Sequence, residues 1–193
     1  MSRAAGPLAA AVLAAAVLTG CLAGHPRLEV AEAAPAFVPE RFFAGPTHGV
    51  GTLRVRARRA RPVTVESRGE ADAAGVFHLR QRVTVGDATT CRAWTMRRTA
   101  DGGLAATLSE APAGVSVRAD GARLHIRYAL PGLVRVRQTL ALRPGGASAD
   151  NRLTAFVLGV PIARLDEEIR RGPAPPAPAS SAPPRDGTEH LCP

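Results

Sequence analysis

Leu124 to Leu142 reads LHIRYALPGLVRVRQTLAL, and its period is two. Leu124, Ile126, Tyr128 and Leu130 alternate with His125, Arg127 and Ala129. After Pro131-Gly132, Val134, Val136, Gln138, Leu140 and Leu142 alternate with Arg135, Arg137 and Thr139. Side chains two apart on an extended chain share a face, so each half carries an apolar face and a largely polar or cationic one, as a half-buried strand does. Proline interrupts a strand ladder and glycine accepts the positive φ of a tight turn, so the stretch reads as a hairpin.

The alternation continues in both directions. Downstream, Pro144-Gly145-Gly146 ends the hairpin and two apolar runs follow, Leu153 to Leu158 and Val160 to Leu165; LDEEIRR from Leu165 reads equally as a last strand or a helical turn. Upstream, Asp120-Gly121 precedes the hairpin, and Asp101-Gly102-Gly103 separates Leu104, Ala106 and Leu108 from a face shared by Arg92, Trp94, Met96 and Arg98. Phe77, Leu79, Gln81, Val83 and Val85 form another face, as do Val63 and Val65, and Leu53, Val55 and Ala57 within GVGTLRVRARR at 49–59. About nine or ten short strands joined by local turns give an all-β, antiparallel up-and-down meander. An open meander leaves two unpaired edges and a closed or partly closed barrel removes them, so a barrel is expected ahead of a sandwich.

Composition changes sharply outside 40–171. Met1 to Arg3 is a basic start, Ala4 to Leu18 is apolar, and the run ends in Leu18-Thr19-Gly20-Cys21, the layout of a secretion signal. Those last four residues resemble the lipobox of bacterial lipoproteins, which implies cleavage between Gly20 and Cys21 and acylation of Cys21. Two or three acyl chains, at about 0.8 kcal/mol per buried methylene, hold a protein on a bilayer without a spanning helix. Leu22, in place of the usual Asp retention signal, implies the outer membrane in a Gram-negative cell. Residues 21–39 then read as a lipidated tether, 40–171 as the barrel, and 172–193, GPAPPAPASSAPPRDGTEHLCP, as a disordered tail with polyproline character. Of the two remaining cysteines, Cys192 lies in that tail. A disulfide to Cys91 is one reading, and a buried Cys91 with an incidental Cys192 is the plainer one.

The chain of 193 residues has no lysine and a net charge of +9. The 40–171 segment alone holds 22 Arg against 12 Asp or Glu, a balance of +10. Such a balance suits an anionic surface such as phospholipid headgroups. Nucleic acid is not expected as a partner, since 7 aromatic residues make no stacking platform. No apolar run reaches the roughly 18 residues of a membrane-spanning helix. No nucleophile elbow or phosphate-binding glycine loop is present. His25, His48, His78, His125 and His190 are scattered singly, without the spacing of metal ligands. Asp166, Glu167 and Glu168 read as solvated charge at a strand end. No catalytic residue, metal or cofactor is therefore assigned, and the chain is not expected to be an enzyme. Gln81, Trp94, Met96, Tyr128 and Gln138 are large or polar groups on otherwise apolar faces. They are the candidate lining of any internal cavity, the Gln amides fixing a ligand's polar end. Arg92, beside Trp94, is a candidate cation-π plug at one end of the barrel.

Three stretches, FFAGPTHGVG (42–51), CRAWTMRRTADGGLAATLSEAPAGV (91–115) and NRLTAFVLGVPIARLDEEIRR (151–171), resemble a bacterial family known as domain of unknown function 3833, small secreted proteins or lipoproteins. The resemblance implies a calycin-like barrel and an anchor and carries no known activity. The Asp-Asp-Trp segment associated with that family has no counterpart in VRVRQTLALRP (134–144), which marks a divergent member. The expectation is a lipid-anchored envelope protein whose barrel binds or shields an apolar or amphiphilic ligand. The alternative is a module that docks an envelope partner or anionic lipid surface through its arginine face and holds nothing inside.

Overall fold

A computed structural model describes residues 28–173 and Cys192. The expected signal, Cys21 and almost all of the expected tail lie outside the described residues. Ten strands follow one another: β1 (Gly45–Val55), β2 (Arg61–Ala71), β3 (Phe77–Val85), β4 (Ala88–Arg98), β5 (Leu104–Leu108), β6 (Val115–Asp120), β7 (Arg123–Leu130), β8 (Val134–Leu142), β9 (Ser148–Val157) and β10 (Val160–Arg171). Each pairs antiparallel with its sequence neighbours, and β10 returns to β1, from Thr47↔Arg171 to Val55↔Ala163, to close the barrel. No edge is left unpaired, which is the physical gain of closure.

LDEEIRR is the last part of β10, a strand rather than a helical turn. The one helix of the described residues is α1 (Pro39–Phe42), with Pro39 in its first turn, where a missing N–H costs nothing. It belongs to a segment that crosses one end of the barrel. The Phe37 N–H donates to the Gly121 carbonyl at 2.8 Å, and Arg98 grips Glu40 through two nitrogens at 2.8 and 3.0 Å. Phe37, Phe42 and Phe43 stack on one another with ring centroids 4.9 to 6.5 Å apart. All three are buried, so this stretch plugs the end, although its composition suggests a tether up to residue 39. Gly69 makes room for the plug, since a Cβ there lies 2.3 Å from the Phe43 carbonyl and 2.4 Å from Phe77 Cζ.

The alternation of the sequence sets what faces inward. Most of the core is one cluster running from the plug through Leu79, Trp94, Met96, Leu124, Ile126, Leu140 and Ala149. A smaller cluster of Val63, Val65 and Leu165 fills the wall toward the other end. Cys91 is exposed and disulfide-bonded to Cys192, with Cα atoms 5.9 Å apart, which corrects the reading of a buried Cys91 and an incidental Cys192. The physical reason is parity: Cys91 opposes Arg82 on the outer face, where Cys192 meets it. Arg92 is no cation-π plug either. It pairs with Glu110 at 3.6 Å, and among the described residues the cation-π contact is that of Arg137 over Phe156, 5.2 Å from the ring centroid.

Candidate functional site: a polar layer inside the barrel

Two hydrogen-bonded chains of side chains cross the barrel interior. In the first, Trp94 Nε1 donates to Gln81 Oε1 at 2.8 Å and Gln81 Nε2 donates to Ser67 Oγ at 3.0 Å. In the second, Gln138 Nε2 donates to Asn151 Oδ1 at 3.0 Å and Asn151 Nδ2 donates to Glu167 Oε2 at 2.7 Å. Strand order explains why they converge on the same part of the wall. Ser67 on β2 opposes Thr47 on one side of β1, and Glu167 on β10 opposes Gly51 on the other. The two chains therefore end on either side of β1, whose inward positions there are Thr47, Gly49 and Gly51.

The two glycines decide the shape of this floor. A Cβ on Gly49 lies 1.9 Å from Glu167 Oε1, and one on Gly51 lies 2.4 Å from the Asp166 carbonyl and 2.8 Å from Glu167 Cα. Only a strand without side chains at these places lets β10 approach so closely and lets the Glu167 carboxyl lie down across it. Glu167 is only 7% exposed. Burial pushes its carboxyl above the usual range, against the opposing pull of the Asn151 hydrogen bond and the Arg92 charge. Glu167 Oε1, Thr47 Oγ1 and Arg92 Nε are buried without a hydrogen-bond partner among the described residues. Each is an unpaired polar atom of the kind a folded interior tolerates only at a cost.

Beside this layer lies a cavity of about 50 Å³, walled by Phe43, Leu79, Met96, Val117, Leu124, Ile126, Leu140 and Leu165 and edged by Gln81, Arg92, Trp94, Gln138, Asn151 and Glu167. Of the five candidate lining residues read from sequence, Gln81, Trp94, Met96 and Gln138 line it. Tyr128 stands behind Trp94, edge-on with centroids 6.0 Å apart, and burial raises its hydroxyl pKa, opposed in part by Arg92. Glu167 is not the solvated strand-end charge that its neighbours suggest. Leu165, Glu167 and Ile169 are all buried while Asp166 and Glu168 are not, and that alternation was the signal by which sequence could have placed it. Asn151 carries the same signal between Ala149 and Leu153. Among the described residues no group of three or more His, Cys, Asp or Glu is arranged to hold a metal.

Solved structures share the fold. An S-type phycobiliprotein lyase from Guillardia theta superimposes with a TM-score of 0.55 at 7% identity, over 70% of this chain and 92% of that one. A protein of unknown function of the DUF3598 family from Nostoc punctiforme does so with a TM-score of 0.54 at 15% identity, over 78% of this chain; the chain spans about half, 54%, of that protein. At these identities the likeness concerns architecture alone. No curated protein matches the sequence. The model of a family described as proteins of unknown function, DUF3833, matches residues 15–139, from the end of the N-terminal apolar run into β8, and the chain belongs to that family.

Proposed function

We propose that this is a lipid-anchored cell-envelope protein whose barrel binds a small amphiphilic molecule, the apolar part against Leu79, Met96, Leu124 and Ile126 and the polar end in the layer of Gln81, Gln138, Asn151 and Glu167. The observation that carries the reading is the buried polar layer with its unpartnered Glu167 and Arg92 atoms at the edge of an apolar cavity. Ligand sites combine apolar walls with a few convergent polar groups in this way. The role is binding without chemistry. Ser67, the one interior hydroxyl in the two hydrogen-bonded chains, is held by the Gln81 amide and not by a base, so it is not activated as a nucleophile. The phycobiliprotein lyase from Guillardia theta shares the architecture alone and does not bear on the ligand.

A cavity of about 50 Å³ is far below the roughly 300 to 1,000 Å³ of pockets for larger ligands. A ligand larger than one or two waters is admitted by movement of Met96, an unbranched and adaptable side chain, and of Phe43 in the plug. Native mass spectrometry of the protein purified from envelopes of its own cells tests the proposal. A stoichiometric small molecule that is lost on unfolding is the expected result; mass spectra showing only bare protein, with Trp94 fluorescence unmoved by lipid extracts, sink it. The anchor is tested separately, because Cys21→Ser should abolish acyl labelling and release the protein, and unchanged labelling refutes lipidation at that residue.

A further inference from the structure

The end of the barrel opposite the plug exposes apolar tips. Among the described residues the exposed large apolar side chains are Val50, Leu133, Leu158 and Val160, and the last three share this end. Val134 pairs with Val157 and Val157 with Val160. Leu133 and Leu158 sit immediately beyond the first of these pairs, on neighbouring turns, 72% and 84% exposed. Both have left-handed backbone, φ 63° and 49°, beside Gly132 and Gly159. A Leu-Gly pair with two positive φ angles closes β9 onto β10, a geometry for which Asn-Gly is the favoured pair. A bulky residue there is disfavoured, so neither the turn nor the core explains these leucines.

Arginines surround them. Arg56, Arg58 and Arg59 lie on the exposed turn after β1, which is tied to β10 by the Arg56 N–H donating to the Ile162 carbonyl at 2.9 Å. Arg61 opens β2, and Arg135 and Arg137 project from the outer face of β8 beside Phe156. None of these six forms an ion pair among the described residues. Some outer arginines farther from this end are matched: Arg143 reaches Asp150 and Glu168 at 2.7 and 3.1 Å, and Arg152 reaches Asp166 at 3.3 Å; others, such as Arg68 and Arg80 on the wall of β2 and β3, face each other. Of the carboxylates at this end, Asp87 and Glu110, the second is engaged by Arg92.

We propose that this rim docks on the surface of an anionic phospholipid bilayer, Leu133, Leu158 and Val160 entering the boundary between headgroups and acyl chains and the flanking arginines pairing with phosphates. Apolar tips encircled by uncompensated cations complement a surface that is anionic above and hydrocarbon below. Phe156, with Arg137 over its ring, lies next to these tips, opposite Pro161 on β10. The contact is peripheral and does not depend on the acyl anchor.

The test uses the chain from residue 21 with Cys21→Ser, so that no acyl group contributes; the barrel lies wholly within it. Cosedimentation with phosphatidylcholine vesicles, with and without phosphatidylglycerol, should show binding to the anionic vesicles that fades at high salt. Leu133→Asn with Leu158→Asn should weaken binding about tenfold, without lowering the melting temperature, because Asn accepts left-handed backbone. Arg56→Gln with Arg58→Gln and Arg59→Gln should weaken it about a hundredfold, roughly fivefold per arginine. The proposal is overturned by equal binding to neutral vesicles, by no binding to anionic ones, or by rim variants that bind unchanged. It also falls if Arg68→Gln with Arg80→Gln, facing residues on the wall of β2 and β3, weakens binding as much as the rim changes do. A photocrosslinker at position 158 that labels protein and no lipid in cells overturns it in favour of a protein partner.

Discussion

Gly49 and Gly51 are two residues apart on the same strand, yet replacing them with alanine should have different costs. In Gly51→Ala the new methyl meets backbone, the Asp166 carbonyl at 2.4 Å and Glu167 Cα at 2.8 Å. Strand β1 must draw away from β10 by the better part of an ångström, loosening ladder hydrogen bonds worth about 1 kcal/mol each. Overpacking adds about 1 to 3 kcal/mol, for a total of about 3 to 5 kcal/mol. In Gly49→Ala the methyl meets only the end of a side chain, Glu167 Oε1 at 1.9 Å and Cδ at 2.9 Å. The carboxyl can swing aside, and the cost is the Asn151 hydrogen bond, about 1.5 to 3 kcal/mol if the carboxyl is charged. The stiffer unfolded chain of an alanine variant returns about 0.4 to 1 kcal/mol in both cases. Urea denaturation of a double-mutant cycle separates the two. Combined with Glu167→Ala, Gly49→Ala should lose nearly all its cost because the clashing atoms are gone, whereas Gly51→Ala should keep most of its cost because the backbone remains. A Gly51→Ala variant more stable than Gly49→Ala, or additive effects of Gly49→Ala and Glu167→Ala, would show that the glycines do not serve the carboxyl.

Because burial raises the Glu167 pKa in the folded state, its contribution to stability is fully present below the unfolded pKa and is lost as pH rises through the folded value. Glu167→Gln should therefore stabilise the barrel at neutral and alkaline pH and lose that advantage in acid; thermal melts showing the same difference at every pH refute the shift. Cys91→Ser opens a loop whose ends are 101 residues apart in sequence, and on a chain-entropy model it should cost about 2 to 5 kcal/mol, read as a fall in melting temperature that reductant reproduces in the parent protein. Trp94→Phe leaves Gln81 Oε1 without its donor and should cost about 1 to 3 kcal/mol; a Gln81→Leu background should shrink that cost, and an unchanged cost assigns it to packing alone. Replacing Gln138, Asn151 and Glu167 together by leucine or methionine should leave the barrel as stable or more so while abolishing ligand uptake, and a collapse in stability with binding retained would assign the layer to folding instead.

The barrel was legible because its strands are two-faced: Leu124 to Leu142 declares a hairpin in its own alternation, and nearly every turn carries glycine or proline. Closure was an argument about edges, and the β1–β10 register settles it. The cavity lining was partly legible, since Gln81, Gln138, Trp94 and Met96 interrupt apolar faces. Glu167 was obscured by its neighbours, because three consecutive acids read as solvent-facing until β10 is known to be a strand whose middle member points inward. Gly49 and Gly51 gave no sign of their role. A glycine's purpose here depends on which strand approaches it, and β10 lies more than a hundred residues away. The exposed leucines were hidden for the opposite reason, in that Leu133 and Leu158 look like strand residues and prove to occupy turns.

The polar layer is best understood by what it displaces. Buried polar chains in a low-dielectric interior rarely stabilise more than well-packed apolar groups of the same volume, and a chain left partly unsatisfied is worse than an apolar core. Here the layer lies between an apolar plug cluster and an apolar wall cluster, so alternation alone would have continued the hydrocarbon core without interruption. Instead, Glu167 is held by one hydrogen bond and shielded by glycines, with an oxygen left unpaired. Local rules broken together in one place, with no evident gain in stability, are expected at functional sites, which is what the proposed binding role requires. On the proposed reading, Glu167 Oε1 calls for a donor on the ligand and Arg92 Nε for an acceptor. If the proposal holds, the polar end of a bound amphiphile is therefore expected to be neutral and able both to donate and to accept.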